Sequence, residues 1–346
     1  MRQNKRPALK EVYLRSEQNS ATSVEIEEKT WCNGKMYSHK IFYPTTNSIV
    51  ATETVGTMAV SDISRKNHMI GLKNPTHASF SGCLKELALT SKTERKIMTP
   101  TGHTVLITGG ATGIGFALAK QFHAAGNQVI LVGRREDVLR EAQSWLSGSL
   151  KAEHTRCQIA VADIGNAQDR ARLVQQFPDA NILINNAGIQ FTKPFDTQTD
   201  DEIAQEIQTN LTAPTQLCLA FLPILRNKPQ AAIVNVSSGL AIVPKETCAL
   251  YCATKAGLHS FTQVLRWQLE ASSVRVFEIL PPMVLTPMSQ GKGHANLKIS
   301  PDELAQEFWR DFQRDHYEIM AGKSKWLYWI NRISATLGQR IMRKGL

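Results

Sequence analysis

A strand that ends in glycine and turns at once into a helix commits a chain to few architectures. Here Thr104, Val105, Leu106 and Ile107 form a short apolar run, Thr108-Gly109-Gly110-Ala111-Thr112-Gly113-Ile114-Gly115 follows, and residues 116–125 read as helix. Glycines permit a tight turn and close backbone approach, and the helix start offers amides and a positive dipole end to a pyrophosphate. The spacing is TGxxxGxG rather than GxGxxG, because Leu118 stands where a third glycine would fall. From His103 onward strand-like and helical runs alternate, the pattern of a parallel α/β sheet. The expected fold is a single Rossmann-type, doubly wound parallel sheet with helices on both faces, over residues 98–346.

The second strand, 128–132, ends in Gly133-Arg134-Arg135. An acidic residue near this point would take the ribose hydroxyls of NAD, and none is present. Two guanidiniums suit a 2′-phosphate instead, so NADP(H) is favoured, with NAD(H) as the alternative. The third strand, 157–162, runs to Asp163-Ile164, and the fourth, 181–184, to Asn185-Asn186-Ala187-Gly188. Both ends are turns of the kind where ligands sit in open α/β sheets.

Tyr251 and Lys255 are four apart, so on a helix they share a face, and Ser238 lies thirteen residues before Tyr251. A phenol titrates near pH 10, and a neighbouring ammonium favours the phenolate and lowers that value. A hydroxyl from a strand end would then orient a substrate oxygen against the phenol. Asn210 is expected inside a long helix begun near Thr199, where an Asn is disfavoured by propensity and a local role is plausible.

TGxxxGxG at 108–115, the Asn-Asn-Ala-Gly run at 185–188, Asn210, Ser238 and the Tyr251/Lys255 pair occur in order. Together they resemble the short-chain dehydrogenase/reductase family. The runs at 233–241 and 280–284 and the stretches at 302–304 and 318–322 resemble its DltE-type branch. The resemblance covers about 98–346 and none of 1–97. It implies hydride transfer between a nicotinamide dinucleotide and a carbonyl/alcohol pair. Tyr251 would be the general acid/base, Lys255 would lower its pKa and hold the nicotinamide ribose, and Ser238 would hold the substrate oxygen. Asn210 would fix a water relay to Lys255. Cofactor contacts are expected from Thr108, Gly109, Gly113, Ile114, Gly115, Arg134, Arg135, Asp163, Ile164, Asn186, Ala187, Gly188, Tyr251, Lys255, Pro281, Val284 and Thr286. Pro281-Pro282 stands where most of the family has Pro-Gly. A second proline stiffens the turn and removes an N–H. Residues 288–299, with Gly291 and Gly293, resemble the family's substrate lid. A catalytically silent dinucleotide sensor, or a lyase or epimerase using the same Tyr/Lys pair, are the alternatives.

Residues 1–97 read differently. They show no sustained period of 2 or 3.6 and carry 15 Lys/Arg against 9 Asp/Glu, whereas the remainder carries 25 against 21. They are expected to be disordered or no part of the native protein, Met98 standing where a compact domain of this type would begin. The acidic residues argue against an ordinary transit peptide. The mild basicity of the rest fits an anionic cofactor and does not require nucleic acid. Six cysteines lie scattered without CxxC pairs; free thiols, a reducing cytoplasmic setting and no metal site are expected. Cys248 and Cys252 are expected to be packing residues, and His259 and His294 lack ligand partners at useful spacing. The longest apolar run, 217–225, contains Pro223 and is too short for a membrane span. In the tail, Trp326, Ile330, Ile333, Leu337 and Ile341 recur at helical spacing. Packing on the domain or on a partner subunit of a homodimer or homotetramer is expected there, with an anionic membrane surface as the alternative.

Overall fold

The computed structural model describes residues 10–11, 23–32, 35–44, 97–149, 157–291, 298–322 and 324–343. The chain divides into two units, Met1–Arg95 and Lys96–Leu346.

In the first unit, β1 (Lys10–Glu11), β2 (Ser23–Cys32) and β3 (Lys35–Pro44) form an antiparallel sheet in the order β1-β2-β3. The β2–β3 register sets Val24 opposite Tyr43, Ile26 opposite Ile41 and Glu27 opposite Lys40. Asn33-Gly34 stands between β2 and β3 in the sequence, a dipeptide that marks hairpins.

In the second unit, β4 (Thr104–Thr108), β5 (Gln128–Gly133), β6 (Cys157–Val161), β7 (Ile182–Asn185), β8 (Ala231–Val236), β9 (Val274–Leu280) and β10 (Glu318–Met320) form one sheet. Its order is β10-β9-β8-β7-β4-β5-β6, and every pairing is parallel. Strands β7, β8 and β9 are buried along their whole length, as strands covered on both faces must be. Side chains alternate between two cores. Val105, Ile107, Ile182, Ile184 and Val234 face one, while Leu106, Leu183 and Ile233 face the other.

Helices α1 (Gly113–Ala124), α2 (Glu136–Ser149) and a later helix, Pro301–Phe312, cover the first face; α3 (Ala167–Gln176) lies on the second. Phe122 of α1 packs edge-on against Trp309 at 5.1 Å and Phe312 at 5.5 Å between ring centres. The expected long helix from Thr199 is interrupted. Thr199 and Glu202 form a reciprocal capping box for α4 (Asp200–Ile207), a π turn covers Gln208–Thr212, and α5 (Ala213–Arg226) follows. Pro214 explains the break: it has no N–H to offer the Asn210 carbonyl four residues earlier. Helix α6 (Ala249–Gln268) completes the second face with Leu265. The helix over Pro301–Phe312 is α7, and α8 (Ser324–Ile333) and α9 (Ala335–Arg343) end the described chain.

Strand order reverses between β4 and β7, and open α/β sheets bind ligands in the crevice at such a switch point. Residues 292–297 of the expected lid, with Gly293 and His294, lie outside the described residues. Gly291 has φ +74°, and Val284 and Ile299 form a parallel bridge across the lid's base.

An ion pair between a buried arginine and a half-buried aspartate ties this unit together. Arg275 of β9 donates from Nε to Asp315 Oδ2 at 2.9 Å, and Asp315 also accepts from the Met98 amide at 3.4 Å. Met98 is itself buried in the first core. Removing one member of a buried pair leaves a charge short of a partner. Asp315→Ala is expected to destabilise the chain by about 3 kcal/mol, the low end for such pairs, read as a lower urea midpoint. A change within error of zero counts against it.

Candidate active site

The carboxyl ends of β4 to β9 open onto a cavity of about 560 Å³. Gly109, Gly113, Ile114, Arg134, Arg135, Asp163, Ile164, Asn186, Ala187, Gly188, Ser238, Tyr251, Lys255, Pro281, Val284 and Thr286 all line it. Thr108, Gly115 and Asn210 are buried behind its wall, so they shape the cavity from outside.

Thr108 shows how. Its Oγ1 accepts from the amides of Asn186 at 3.0 Å and Ala187 at 3.1 Å and donates to the Ile184 carbonyl at 3.3 Å. The ends of β4 and β7 are thereby tied together. Asn186 returns the link, donating from Nδ2 to the carbonyls of Thr108 at 2.9 Å and Gly109 at 3.2 Å. A Cβ on Gly115 would overlap the Gly109 carbonyl oxygen and stand 2.5 Å from Asn186 Nδ2. Only glycine fits. Gly109 and Gly113 adopt φ +61° and +54°, the left-handed region where glycine is unstrained. Thr112 precedes α1 without a side-chain cap, so the first amides of α1 carry no side-chain acceptor beside the cavity-lining Gly113 and Ile114. An uncapped helix start with glycine on either side fits the pyrophosphate of a dinucleotide.

Arg134 and Arg135 stand at the cavity's other end, at the close of β5. Arg134 is exposed, with a loose ion pair to Asp163 at 3.9 Å, and Arg135 makes no ion pair among the described residues. Asp163 is occupied by its own turn: Oδ1 accepts from the Gly165 amide at 2.8 Å.

At the deep end, Ser238 follows β8 and accepts from the Leu240 amide at 3.1 Å. The neighbouring Ser237 hydroxyl donates to the Ile279 carbonyl at 3.2 Å. Tyr251 and Lys255 share a face of α6, with Nζ 5.7 Å from the phenol ring centre. Lys255 is 4% exposed and donates to the Val236 carbonyl at 2.8 Å. Burial pulls its pKa down to about 8, against the opposing pull of Glu278 and Glu206. Burial is the main influence on the Tyr251 phenol and drives its pKa upward, with the neighbouring Ser238 hydroxyl opposing and Cys248, Cys252 and Glu206 adding to the rise.

Asn210 is buried in the π turn. Its Oδ1 accepts from the Ile189 amide at 2.9 Å; Nδ2 donates to the Ile189 carbonyl at 2.9 Å and to Thr254 Oγ1 at 3.3 Å. Its side chain is therefore committed to the loop after β7 and to α6. A Cβ on Gly188 would stand 3.2 Å from Asn210 Oδ1 and 3.7 Å from Lys255 Nζ, so Gly188 is the gap through which the two approach each other.

One group escaped the sequence reading. Glu278 of β9 is fully buried and meets His259 Nδ1 at 2.8 Å, a contact that raises the His259 pKa. Its signal was a lone carboxylate inside an apolar strand. The Cys248 and Cys252 sulfurs lie 3.9 Å apart, and a shared S–H bond lowers the Cys248 pKa while raising that of Cys252. Neither thiol lines the cavity.

A family model described as short chain dehydrogenase matches residues 103–296, more than half of the chain. The chain belongs to the short-chain dehydrogenase/reductase family of oxidoreductases. Its place is in the DltE-like branch: it is 40% identical over 232 residues to the uncharacterized oxidoreductase DltE of Bacillus subtilis, covering 64% of this chain and 89% of that one. The 3-oxoacyl-(acyl-carrier-protein) reductase FabG of Rickettsia prowazekii is 31% identical over 189 residues, 55% of this chain and 76% of that relative. Among solved structures, a short-chain dehydrogenase from Sphingobium yanoikuyae in complex with NADPH matches with a TM-score of 0.60 at 27% identity, over 68% of this chain and 95% of that one.

The Lys255 shift has a pH signature. The folded chain favours the neutral amine, so keeping the ammonium costs stability below about pH 8, and the cost fades between about 8 and 10.5 as the unfolded side chain also deprotonates. Lys255→Met is expected to raise Tm relative to the parent at neutral pH, with the gap closing across that window. A gap independent of pH in scanning calorimetry contradicts the assignment.

Proposed function

We propose that the chain is an NADP(H)-dependent oxidoreductase that interconverts a carbonyl and an alcohol, with Tyr251 as its general acid/base. The observation that carries this reading is that Ser238, Tyr251 and Lys255 line one cavity, with Tyr251 and Lys255 on a shared face of α6. A substrate oxygen entering that cavity can meet the Ser238 and Tyr251 hydroxyls together. The nicotinamide, when bound, supplies or accepts the hydride.

The chain's own residues handle the proton. A phenol held above its ordinary pKa stays protonated at neutral pH, which suits a donor to a developing alkoxide. The Ser238 hydroxyl donates to the same oxygen and stabilises its charge. Once the phenol has given up its proton, the Lys255 ammonium on the same helix face opposes the phenolate charge. Asn210 holds the loop after β7 and α6 in register, a positioning role; a water relay through the π turn to Lys255 completes the reading. These features favour carbonyl reduction as the working direction. Ile189, Leu240, Met283, Met288 and Met342 line the remaining cavity wall, an adaptable apolar surface suited to an apolar carbonyl compound.

Arg134 and Arg135 support NADP(H), because paired guanidiniums match a phosphate and repay little with a bare ribose. A relative in complex with NADPH and another, from Burkholderia cenocepacia at 25% identity, in complex with NADP agree with this choice.

Tyr251→Phe is expected to lower NADPH consumption on a panel of aldehydes and ketones by at least about a hundredfold, with dinucleotide affinity retained. Turnover at the parental rate would sink the proton-donor assignment. In a separate measurement, Arg134→Ala/Arg135→Ala is expected to weaken NADPH binding by about tenfold or more and to leave NADH binding nearly unchanged. Equal loss of both cofactors would mean that the arginines do not read the 2′-phosphate.

A further inference from the structure

Helices α8 and α9 take no part in the proposed reaction beyond placing Met342 at the cavity wall. They pack on each other as a pair: buried Gly338 lies so close to Asn331 that a Cβ there would meet its Cα at 3.1 Å. Trp326, Trp329 and Ile333 recur every three or four residues on α8, and Leu337 follows on α9; all four are exposed, Trp326 at 74% and Ile333 at 85%. A cluster of large apolar side chains that meets no core marks an interaction surface.

Charge decides what the surface meets. Residues 323–346 contain six Lys/Arg and no Asp/Glu. Lys325, Arg332, Arg340 and Arg343 are exposed beside the apolar stripe. Lys325 lies 3.7 Å from Glu307 and Arg343 3.5 Å from Glu246, and Arg340 makes no ion pair among the described residues. A second copy docking about a two-fold axis would bring this stripe against itself, cation facing cation with no carboxylate in the segment to offset them. A lipid surface with anionic headgroups answers both features: tryptophans sit at the headgroup level, and Lys and Arg extend to the phosphates. Among the described residues no helix is long and apolar enough to cross a membrane, so the pair would lie on the surface.

We propose that α8 and α9 dock the protein on an anionic membrane surface, the Trp326–Leu337 stripe entering the interface and the flanking arginines meeting the headgroups. Arg343 pairs with Glu246, between the cavity-lining Lys245 and Thr247, so docking brings the cavity's Met342 side near the lipid. The proposal stands apart from the reaction above.

The test floats the full-length protein with phosphatidylcholine vesicles made with and without phosphatidylglycerol. Flotation with the anionic vesicles alone is expected. Arg332→Gln/Arg340→Gln removes two cations and is expected to weaken vesicle partitioning by about thirtyfold. Trp326→Ser/Ile333→Ser is expected to abolish it with an unchanged thermal melt, since both side chains lie in solvent. Residues 1–97 are also basic and stay intact in every variant. If the tail variants float like the parent, or the parent floats equally with neutral vesicles, the proposal fails. It fails too if no form floats and Trp326→Ser/Ile333→Ser instead splits a dimer seen by analytical ultracentrifugation.

Discussion

The whole site depends on one approach of backbone to backbone. Where α1 leaves the glycine turn, the Cα of Gly115 lies against the carbonyl of Gly109, with the Asn186 amide closing the space above it. No side chain fits there. The contact lets α1 begin directly beneath the end of β4, which points its first amides at the cavity. It also couples the two strands on either side of the switch point, since the amide that closes over Gly109 belongs to the turn after β7. The Thr108 hydroxyl, bonded to three main-chain groups of that same turn region, reinforces the coupling. The phosphate end and the nicotinamide end of the crevice are therefore built on one rigid joint.

At the deep end, burial dominates over attraction. A cation and a phenol on one helix face invite the inference that the cation acidifies the phenol. Desolvation acts first on each: Lys255 is drawn towards its neutral form and Tyr251 towards its protonated one. Glu278 and Glu206 favour the ammonium, and Glu206 also disfavours the phenolate.

The second unit's fold was legible because its strands are continuous apolar runs bounded by glycine, and nothing else in the sequence competes with that pattern. Strand ends fell within a residue or two of 107, 132, 162 and 184. Ser238, Tyr251 and Lys255, singled out because their chemistry is unusual at that spacing, line one cavity. The break at Asn210 was missed, although Pro214 announces it, because propensity treats a helix as uniform and a proline within its first turns as acceptable. Thr108 and Gly115 have a further role that the motif does not show: Thr108 bonds the turn after β7, and Gly115 admits the Gly109 carbonyl. A motif shows that residues are needed together and does not say which of them face the ligand. In β2 and β3 charged residues interleave with apolar ones along the sequence, leaving Asn33-Gly34 as the one clear mark.

The π turn has a consequence for how this segment can change. Each residue advances an α-helix by about 100°, so one extra residue in a turn rotates everything after it by that amount. Before the turn, Glu206 faces inward towards the loop after β7; after it, Leu217, Phe221 and Leu225 face the second core. Deleting a single residue between 208 and 212 would leave Pro214 still without an N–H to give, and would turn Glu206 by about 100° relative to Leu217, Phe221 and Leu225. The segment thus carries two hydrophobic and polar phases in one helix, and its length is set by both at once.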